Sequence, residues 1–298
     1  MPLTPAELRR RFARGPLILD GAMGTELERQ GVCGPAPLWS AQALLTAPAV
    51  VEAIHREYVA AGADVIVANT FRTNPRALRR AGLLADGPRL NQLAVALARA
   101  ACHGRVGREG VGLIVAASIG PVEDCYSPEL VPSEAELRDE HEQTASWLAA
   151  AKPDLAWIET IGTVREARAA AAVCAAAGLP LAISFVMQET GDLLSGEPLA
   201  AALAAVEPYD PLVIGLNCIP PRGLSVLLPR LRVSTSRPLA VYAHINNPTP
   251  LRGWSCSQHV TPDEYATYAS DWLAGGATII GGCCGTSAAH IAALCRIC

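Results

Sequence analysis

The sequence predicts an α/β protein: a single (β/α)8 TIM barrel with its active site at the C-terminal ends of the strands. Three observations carry this expectation. Eight short apolar runs alternate with alanine-rich helical patterns along 298 residues. No composition break or long linker interrupts the alternation, so the whole chain, 1–298, reads as one domain. Eight repeats over this length favour a closed parallel barrel over an open doubly wound sheet.

The elements follow in order. Thr4-Pro5-Ala6-Glu7 supplies a cap hydroxyl, a proline at the first helical position and a glutamate at the third, opening a short basic helix that ends near Gly15. Residues 16–19 form the first buried strand, which runs into the turn Asp20-Gly21-Ala22-Met23-Gly24-Thr25. A helix over 50–61 leads to the second strand, 65–68, ending at Asn69-Thr70-Phe71. The third strand, 113–117, ends at Ser118-Ile119-Gly120, and the fourth, 155–158, at Glu159-Thr160. The fifth is 181–186; the sixth, 212–216, ends at Asn217-Cys218; the seventh, 239–243, ends at His244. The eighth leads into Cys283. Helical patterns at 90–102, 134–150, 164–177, 199–206, 224–231 and 262–274 fill the intervals. Asp20, Asn69, Ser118, Glu159, Asn217, Cys218, His244, Cys283 and Cys284 therefore all sit at strand C-termini, the barrel face on which distant residues converge.

Composition narrows the function. Apolar residues make up 51% and charged residues 17%, enough for a large core. A net charge of −4 offers no basic footprint for nucleic acid. The first fifteen residues lack the apolar stretch of a signal peptide, and no run approaches the roughly 20 residues of a membrane span. Ten cysteines in such a chain read as reduced thiols and metal ligands rather than a disulfide framework. A cytoplasmic enzyme acting on small molecules is expected, with no nucleic acid or membrane partner; self-association into a homo-oligomer is compatible with it. Neither Gly-x-Gly-x-x-Gly after a strand nor a Gly-Lys-Ser/Thr phosphate loop occurs.

The stretch Ile279-Ile280-Gly281-Gly282-Cys283-Cys284-Gly285-Thr286 stands apart. A strand ending in two glycines lets backbone approach closely. The cysteines after it are small buried thiols packed as hydrophobes, a strained vicinal disulfide, or ligands at a strand end. Cys218 closes the sixth strand, and alternate barrel strands point into the same layers, so three thiols from strands six and eight can meet. Three thiolates suit Zn²⁺. A structural zinc takes a fourth protein ligand, for which Cys256 and His259 compete; a catalytic zinc leaves that position open. Cys295-Arg296-Ile297-Cys298 lacks a second pair and reads as incidental, and Cys33, Cys102, Cys125 and Cys174 show no ligand-like spacing.

Taken together, Asp20-Gly21-Ala22-Met23-Gly24-Thr25-Glu26-Leu27, Asn69-Thr70-Phe71, Ile158-Glu159-Thr160, Gly215-Leu216-Asn217-Cys218 and Gly281-Gly282-Cys283-Cys284-Gly285-Thr286 resemble the homocysteine S-methyltransferases. That family includes the betaine– and S-methylmethionine–homocysteine methyltransferases and the homocysteine domain of cobalamin-dependent methionine synthase. The resemblance runs over nearly the whole chain in matching order. It implies a zinc-bearing barrel whose ligands match Cys218, Cys283 and Cys284, with homocysteine held by residues matching Asp20 and Glu159. The turn containing Gly21 and Met23 offers backbone N–H groups to the substrate carboxylate. A zinc-bound homocysteine sulfur would be a thiolate at neutral pH, ready to attack a methyl group. Asn217 and His244 read as structural groups rather than catalytic ones.

The methyl donor is less determined. Quaternary ammonium donors are caged by aromatic faces. Betaine-dependent relatives carry aromatic residues after the second and fourth strands, where this chain has Arg72 and Thr160, leaving Phe71 as the one ring. With so little sequence after the eighth strand, no folate- or cobalamin-binding module is expected. Trp39-Ser40-Ala41 resembles the S-methylmethionine group, which favours a sulfonium such as S-methylmethionine or S-adenosylmethionine. Two alternatives stand beside this: a module accepting methyl from a separate corrinoid protein, and a barrel whose zinc is structural.

Overall fold

Thr4 accepts the Glu7 N–H while Glu7 reaches back to the Thr4 N–H, and this capping box starts α1 (Pro5–Ala13) where the sequence places it. The computed structural model describes residues 2–107, 110–245 and 260–298. After α1 come β1 (Leu17–Ile18), α2 (Gly24–Arg29), α3 (Gln42–Thr46), α4 (Pro48–Ala61), β2 (Val65–Ala68), α5 (Pro75–Arg80), α6 (Gly87–Cys102) and β3 (Ile114–Ile119). The chain continues through α7 (Glu134–Ala151), β4 (Leu155–Ile161), α8 (Val164–Ala176), β5 (Leu181–Phe185), α9 (Leu199–Val206), β6 (Val213–Asn217) and α10 (Pro221–Ser234). It ends with β7 (Leu239–Ala243), α11 (Pro262–Ala274), β8 (Ile279–Gly282) and α12 (Ala288–Cys295).

The eight strands are all parallel, in the order β1-β8-β7-β6-β5-β4-β3-β2. The ring closes between β1 and β2 through a single bridge, Leu19 to Val65, flanked by Asp20 N–H to Val65 O at 3.0 Å and Asp64 N–H to Ile18 O at 2.7 Å. This is the (β/α)8 barrel the sequence predicts. The pleat sorts the side chains into two groups. Leu17, Val65, Ile114, Ala116, Leu155, Trp157, Ala182, Val213, Ala240, Tyr242 and Ile279 fill the inside of the barrel. Their neighbours along the strands, such as Ile66, Val115, Ala156, Ile183, Ile214, Val241 and Ile280, pack outward against the helices. Leu8 and Phe12 of α1 join the inner group, so the first helix stoppers the end of the barrel opposite the strand C-termini.

The sequence reading misses the strand ends and the shortest helices. β4 was expected to stop at Ile158 because a polar Glu-Thr pair follows, yet it continues to Ile161, with a register shift against β5 between Ile158 and Ile161. β3 likewise runs on through Ser118 to Ile119. Eight helices were expected; α2, α3 and α5, of six, five and six residues, are too short to display a 3.6-residue period. Among the described residues no helix is long and apolar enough to cross a membrane.

Candidate active site

A cavity of about 820 Å³ opens at the C-terminal ends of the strands, within the usual range for ligand pockets. Asp20, Gly21, Met23, Glu159, Cys218, Cys283 and Cys284 all line it. So do Asn69 and Ser118.

The three thiols converge through turns that the glycines permit. Cys218 leaves β6 with φ at 53°, turning its side chain off the strand direction. Gly282 lies against Thr286, where a Cβ would stand 2.1 Å from Oγ1, and Gly285 turns with φ at +85° so close to Ile245 that a Cβ would meet its carbonyl oxygen at 2.0 Å. The turn is tied down by Cys283 N–H to Ala243 O at 2.9 Å, Ile245 N–H to Cys284 O at 2.8 Å and Gly285 N–H to Thr25 Oγ1 at 2.9 Å. The sulfurs of Cys218, Cys283 and Cys284 consequently lie within 4.8 Å of one another. Sulfurs bound to zinc at 2.3 Å in a tetrahedron stand about 3.8 Å apart, so the trio fits a metal ion after a small contraction. At the observed spacing Cys218 and Cys283 together push the Cys284 thiol well below its usual range, against burial. All three are free cysteines, which removes the vicinal disulfide.

The carboxylates come from other strands. Glu159 accepts from Ser118 Oγ at 2.5 Å and from the Tyr242 hydroxyl at 3.1 Å. Tyr242 in turn accepts from Trp157 Nε1 at 3.0 Å, so the barrel's inner packing fixes the carboxylate from below. Asp20 Oδ2 accepts the Val67 N–H at 2.9 Å. Asp20 does not cap a helix, since α2 has Met23 at that position without a side-chain bond. Among the described residues neither carboxylate has a basic partner. Burial pushes Glu159 up to about 7, helped by the charge on Cys218 and opposed by the bonds from Ser118 and Tyr242. Burial also raises Asp20 well above the carboxylate range; the Val67 N–H opposes this, and the Glu159 charge adds to it.

Asn217 is the structural group the sequence suggests. Its amide accepts the Thr160 N–H at 2.9 Å and donates to Thr160 Oγ1 at 2.8 Å, holding that β-branched residue at a φ of 62°. His244 lies beside Cys218 and opposes the upward push of burial on its thiol. Cys256 and His259, the rival fourth ligands, lie outside the described residues. Cys295 gives its S–H to Ala61 O at 3.0 Å, away from the cavity.

Two groups stand at the cavity in places the sequence reading did not assign them. Cys125 and Tyr126, on the loop after β3, line the cavity and feel the charges of Cys218 and Cys284. A loop position without ligand spacing carried no signal for them. Trp39 also lines the cavity and meets Phe71 edge-on, with centroids 6.4 Å apart at 74°. Each ring rests on a glycine, Trp39 on Gly24 and Phe71 on Gly120, where a Cβ would come within 2.1 and 2.6 Å of ring carbons.

Comparison with known proteins agrees with this geometry. The family model described as homocysteine S-methyltransferase matches residues 17–298. "Homocysteine S-methyltransferase 4" of Zea mays is 32% identical, covering 99% of this chain and 94% of its own. "Homocysteine S-methyltransferase YbgG" of Bacillus subtilis is 30% identical, with 92% of each chain covered. The metallated form of the homocysteine methyltransferase MmuM from Escherichia coli superposes with a TM-score of 0.81 at 30% identity, over 95% of this chain and 96% of that one. A family model over residues 17–298 and full-length relatives at 30% identity or more, on a barrel whose mouth gathers three thiols, place this chain in the homocysteine S-methyltransferase family.

Proposed function

We propose that this enzyme moves a methyl group from a small sulfonium donor, S-methylmethionine or S-adenosylmethionine, to the sulfur of homocysteine, giving methionine. In this reading Cys218, Cys283 and Cys284 hold Zn²⁺, Asp20 and Glu159 grip the homocysteine ammonium, and residues 1–298 work as one homocysteine-binding domain. One observation carries it: three thiols within 4.8 Å of one another share a cavity with two carboxylates that have no basic partner among the described residues.

Zinc, when bound, keeps a coordinated thiol deprotonated at neutral pH, whereas a free thiol with a pKa near 8.5 is mostly protonated. The chain's own groups do the rest. An ammonium between Asp20 and Glu159 supplies the positive charge that both carboxylates lack, and draws both back toward ionisation. Ser118 and Tyr242 fix Glu159 so that the substrate meets a preset acceptor. The Gly21–Met23 turn supports the carboxylate end, since both residues line the cavity. Trp39 and Phe71 cover the donor side and keep water from the methyl group. The homocysteine sulfur's lone pair forms the new S–CH₃ bond as the donor's C–S bond breaks. That bond's pair stays on the donor sulfur, which leaves as a neutral thioether. A closed structural zinc fits less well, because Cys283 and Cys284 are half-buried and face the cavity.

Metal analysis tests the ligand set. The wild type is expected to carry about one zinc per chain, and Cys218→Ala and Cys284→Ala to lose it while remaining folded. Absorption at the zinc edge should change from three sulfurs plus a light atom to four sulfurs when homocysteine is added. A donor panel containing S-methylmethionine, S-adenosylmethionine, betaine and a methylcorrinoid, assayed for methionine, completes the test. Full zinc in both variants, or methionine from the corrinoid alone, would sink the reading.

A further inference from the structure

Among the described residues two cations line the cavity, Arg72 and Arg80, and their surroundings differ. Arg80 grips both oxygens of Glu123 at 2.7 Å. Arg76 bonds the same carboxylate at 3.0 Å and reaches on to Glu136 at 3.1 Å and Glu140 at 3.3 Å. Burial pushes Glu123 up, but Arg80 and Arg76 outweigh it and hold the carboxyl below its usual range. Glu123 is thus saturated by two arginines and its side chain does not neutralise a third.

Arg72 stands on the loop after β2 and makes no ion pair among the described residues. Its Nη1 donates to the backbone carbonyl of Glu123 at 2.8 Å, and its guanidinium carbon lies 5.0 Å from the centroid of the Phe71 ring. Those two contacts fix the plane of the group and leave further N–H donors for a ligand. Cys125 feels both Arg72 and the thiols Cys218 and Cys284, so the guanidinium and the thiol trio lie within electrostatic reach of one side chain. Apart from the two arginines, the charged side chains lining the cavity among the described residues are acidic: Asp20, Glu28, Glu123, Asp124 and Glu159, with Glu28 engaged by Trp39 Nε1 at 2.6 Å. A planar cation among carboxylates, stacked on a ring and free of a counter-ion, suits a bidentate carboxylate from outside.

Homocysteine cannot use all of these groups. Its sulfur belongs at the thiols and its ammonium between Asp20 and Glu159, which leaves Arg72 and the two rings for the second substrate. We propose that Arg72 anchors the carboxylate of the methyl donor and is the residue that sets the preference for a donor carrying one. The inference rests on the sulfonium reading above. The donor's positive sulfur lies against the aromatic faces, and its carboxylate end is held by the fork of Arg72, orienting the methyl toward the thiol trio.

The test compares S-methylmethionine with its carboxamide, and both with trimethylsulfonium, as donors for methionine formation. The wild type is expected to favour the carboxylate over the carboxamide in kcat/KM by about 10- to 150-fold, the range for one hydrogen bond to a charged group. Arg72→Gln should bring the ratio close to unity and Arg72→Lys should restore part of it. The homocysteine KM, zinc content and near-ultraviolet circular dichroism should not change. Equilibrium dialysis of S-methylmethionine without homocysteine should show the same loss of affinity in Arg72→Gln. An unchanged donor ratio in Arg72→Gln overturns the proposal. So does a raised homocysteine KM with the donor ratio intact, which would put the acceptor's carboxylate on Arg72. A wild type that makes no methionine from any sulfonium but binds S-methylmethionine through Arg72 keeps the subsite and removes the donor reading. One that neither reacts with nor binds the sulfoniums overturns both.

Discussion

At the scale of single residues the two carboxylates carry the sharpest expectations. Asp20→Asn and Glu159→Gln should each raise the homocysteine requirement by about 10- to 150-fold, the cost of one hydrogen bond to a charged group, while zinc content and the donor's KM stay near normal. Saturation kinetics in both substrates checks this. Glu159 also predicts a pH effect. Its folded pKa is pushed from the ordinary carboxylate range near 4.5 up to about 7, chiefly by burial. The folded chain therefore holds this proton more tightly than the unfolded one. Its stabilising contribution is full below about pH 4.5 and is lost as pH rises toward about 7; the raised Asp20 acts in the same direction. Ligand-free Glu159→Gln should escape that loss and melt a few degrees above the wild type at pH 8, with little difference at pH 4.5. The same variant that weakens substrate capture should thus stabilise the fold, as expected where a site holds charges that the fold alone does not reward. Thermal melts at the two pH values measure it.

Between residue and barrel stand the turns at the strand ends. Asn217 on β6 reaches over β5 to brace Thr160 at the end of β4 with two bonds. Asn217→Ala leaves a buried N–H and hydroxyl without partners, which should cost about 1–3 kcal/mol. Because Cys218 is the next residue, the variant should also release zinc at lower chelator concentration, followed with a metal-sensitive dye. Gly285→Ala meets both a φ of +85° and a carbonyl 2.0 Å from the new Cβ; handedness alone costs about 1–2 kcal/mol, and the displaced Cys284 should lower zinc occupancy. These turns also mark how far the sequence could be read. Continuous apolar runs announced every strand and the 3.6-residue pattern the long helices, because a parallel strand is buried on both faces and a helix on one stripe. The glycine-cysteine clusters announced the thiol site, because few other purposes require two glycines before two cysteines. What stayed hidden depends on distance rather than pattern. Ser118 and Tyr242 meet Glu159 from sequence separations of 41 and 83. Trp39 reaches the cavity from the segment between β1 and α4. Cys125 had no spacing to betray it, and only the folded loop brings it near the other thiols.

The whole molecule divides its labour between two ends. At the closed end Leu8 and Phe12 of α1 complete the inner core, with 0% and 1% of their surface exposed. Phe12→Ala should cost about 3–5 kcal/mol in denaturant titrations and leave the homocysteine KM unchanged, because the plug lies at the far end of the barrel from the thiols. At the open end the ring of strands is uneven. β1 has two residues, and its junction with β2 rests on one bridge and a few hydrogen bonds, one of which is accepted by the Asp20 carboxylate itself from Val67. A ligand drawn to Asp20 while tied to the thiols of β6 and β8 would span that junction from inside. Amide hydrogen exchange is the way to see it: breathing of the seam should expose the Asp20 and Val67 amides in the free protein, and homocysteine should slow their exchange far more than that of Ile158 on the well-paired β4. The narrowest closure of the barrel would then be a built-in gauge of occupancy, with the substrate acting as the last stave.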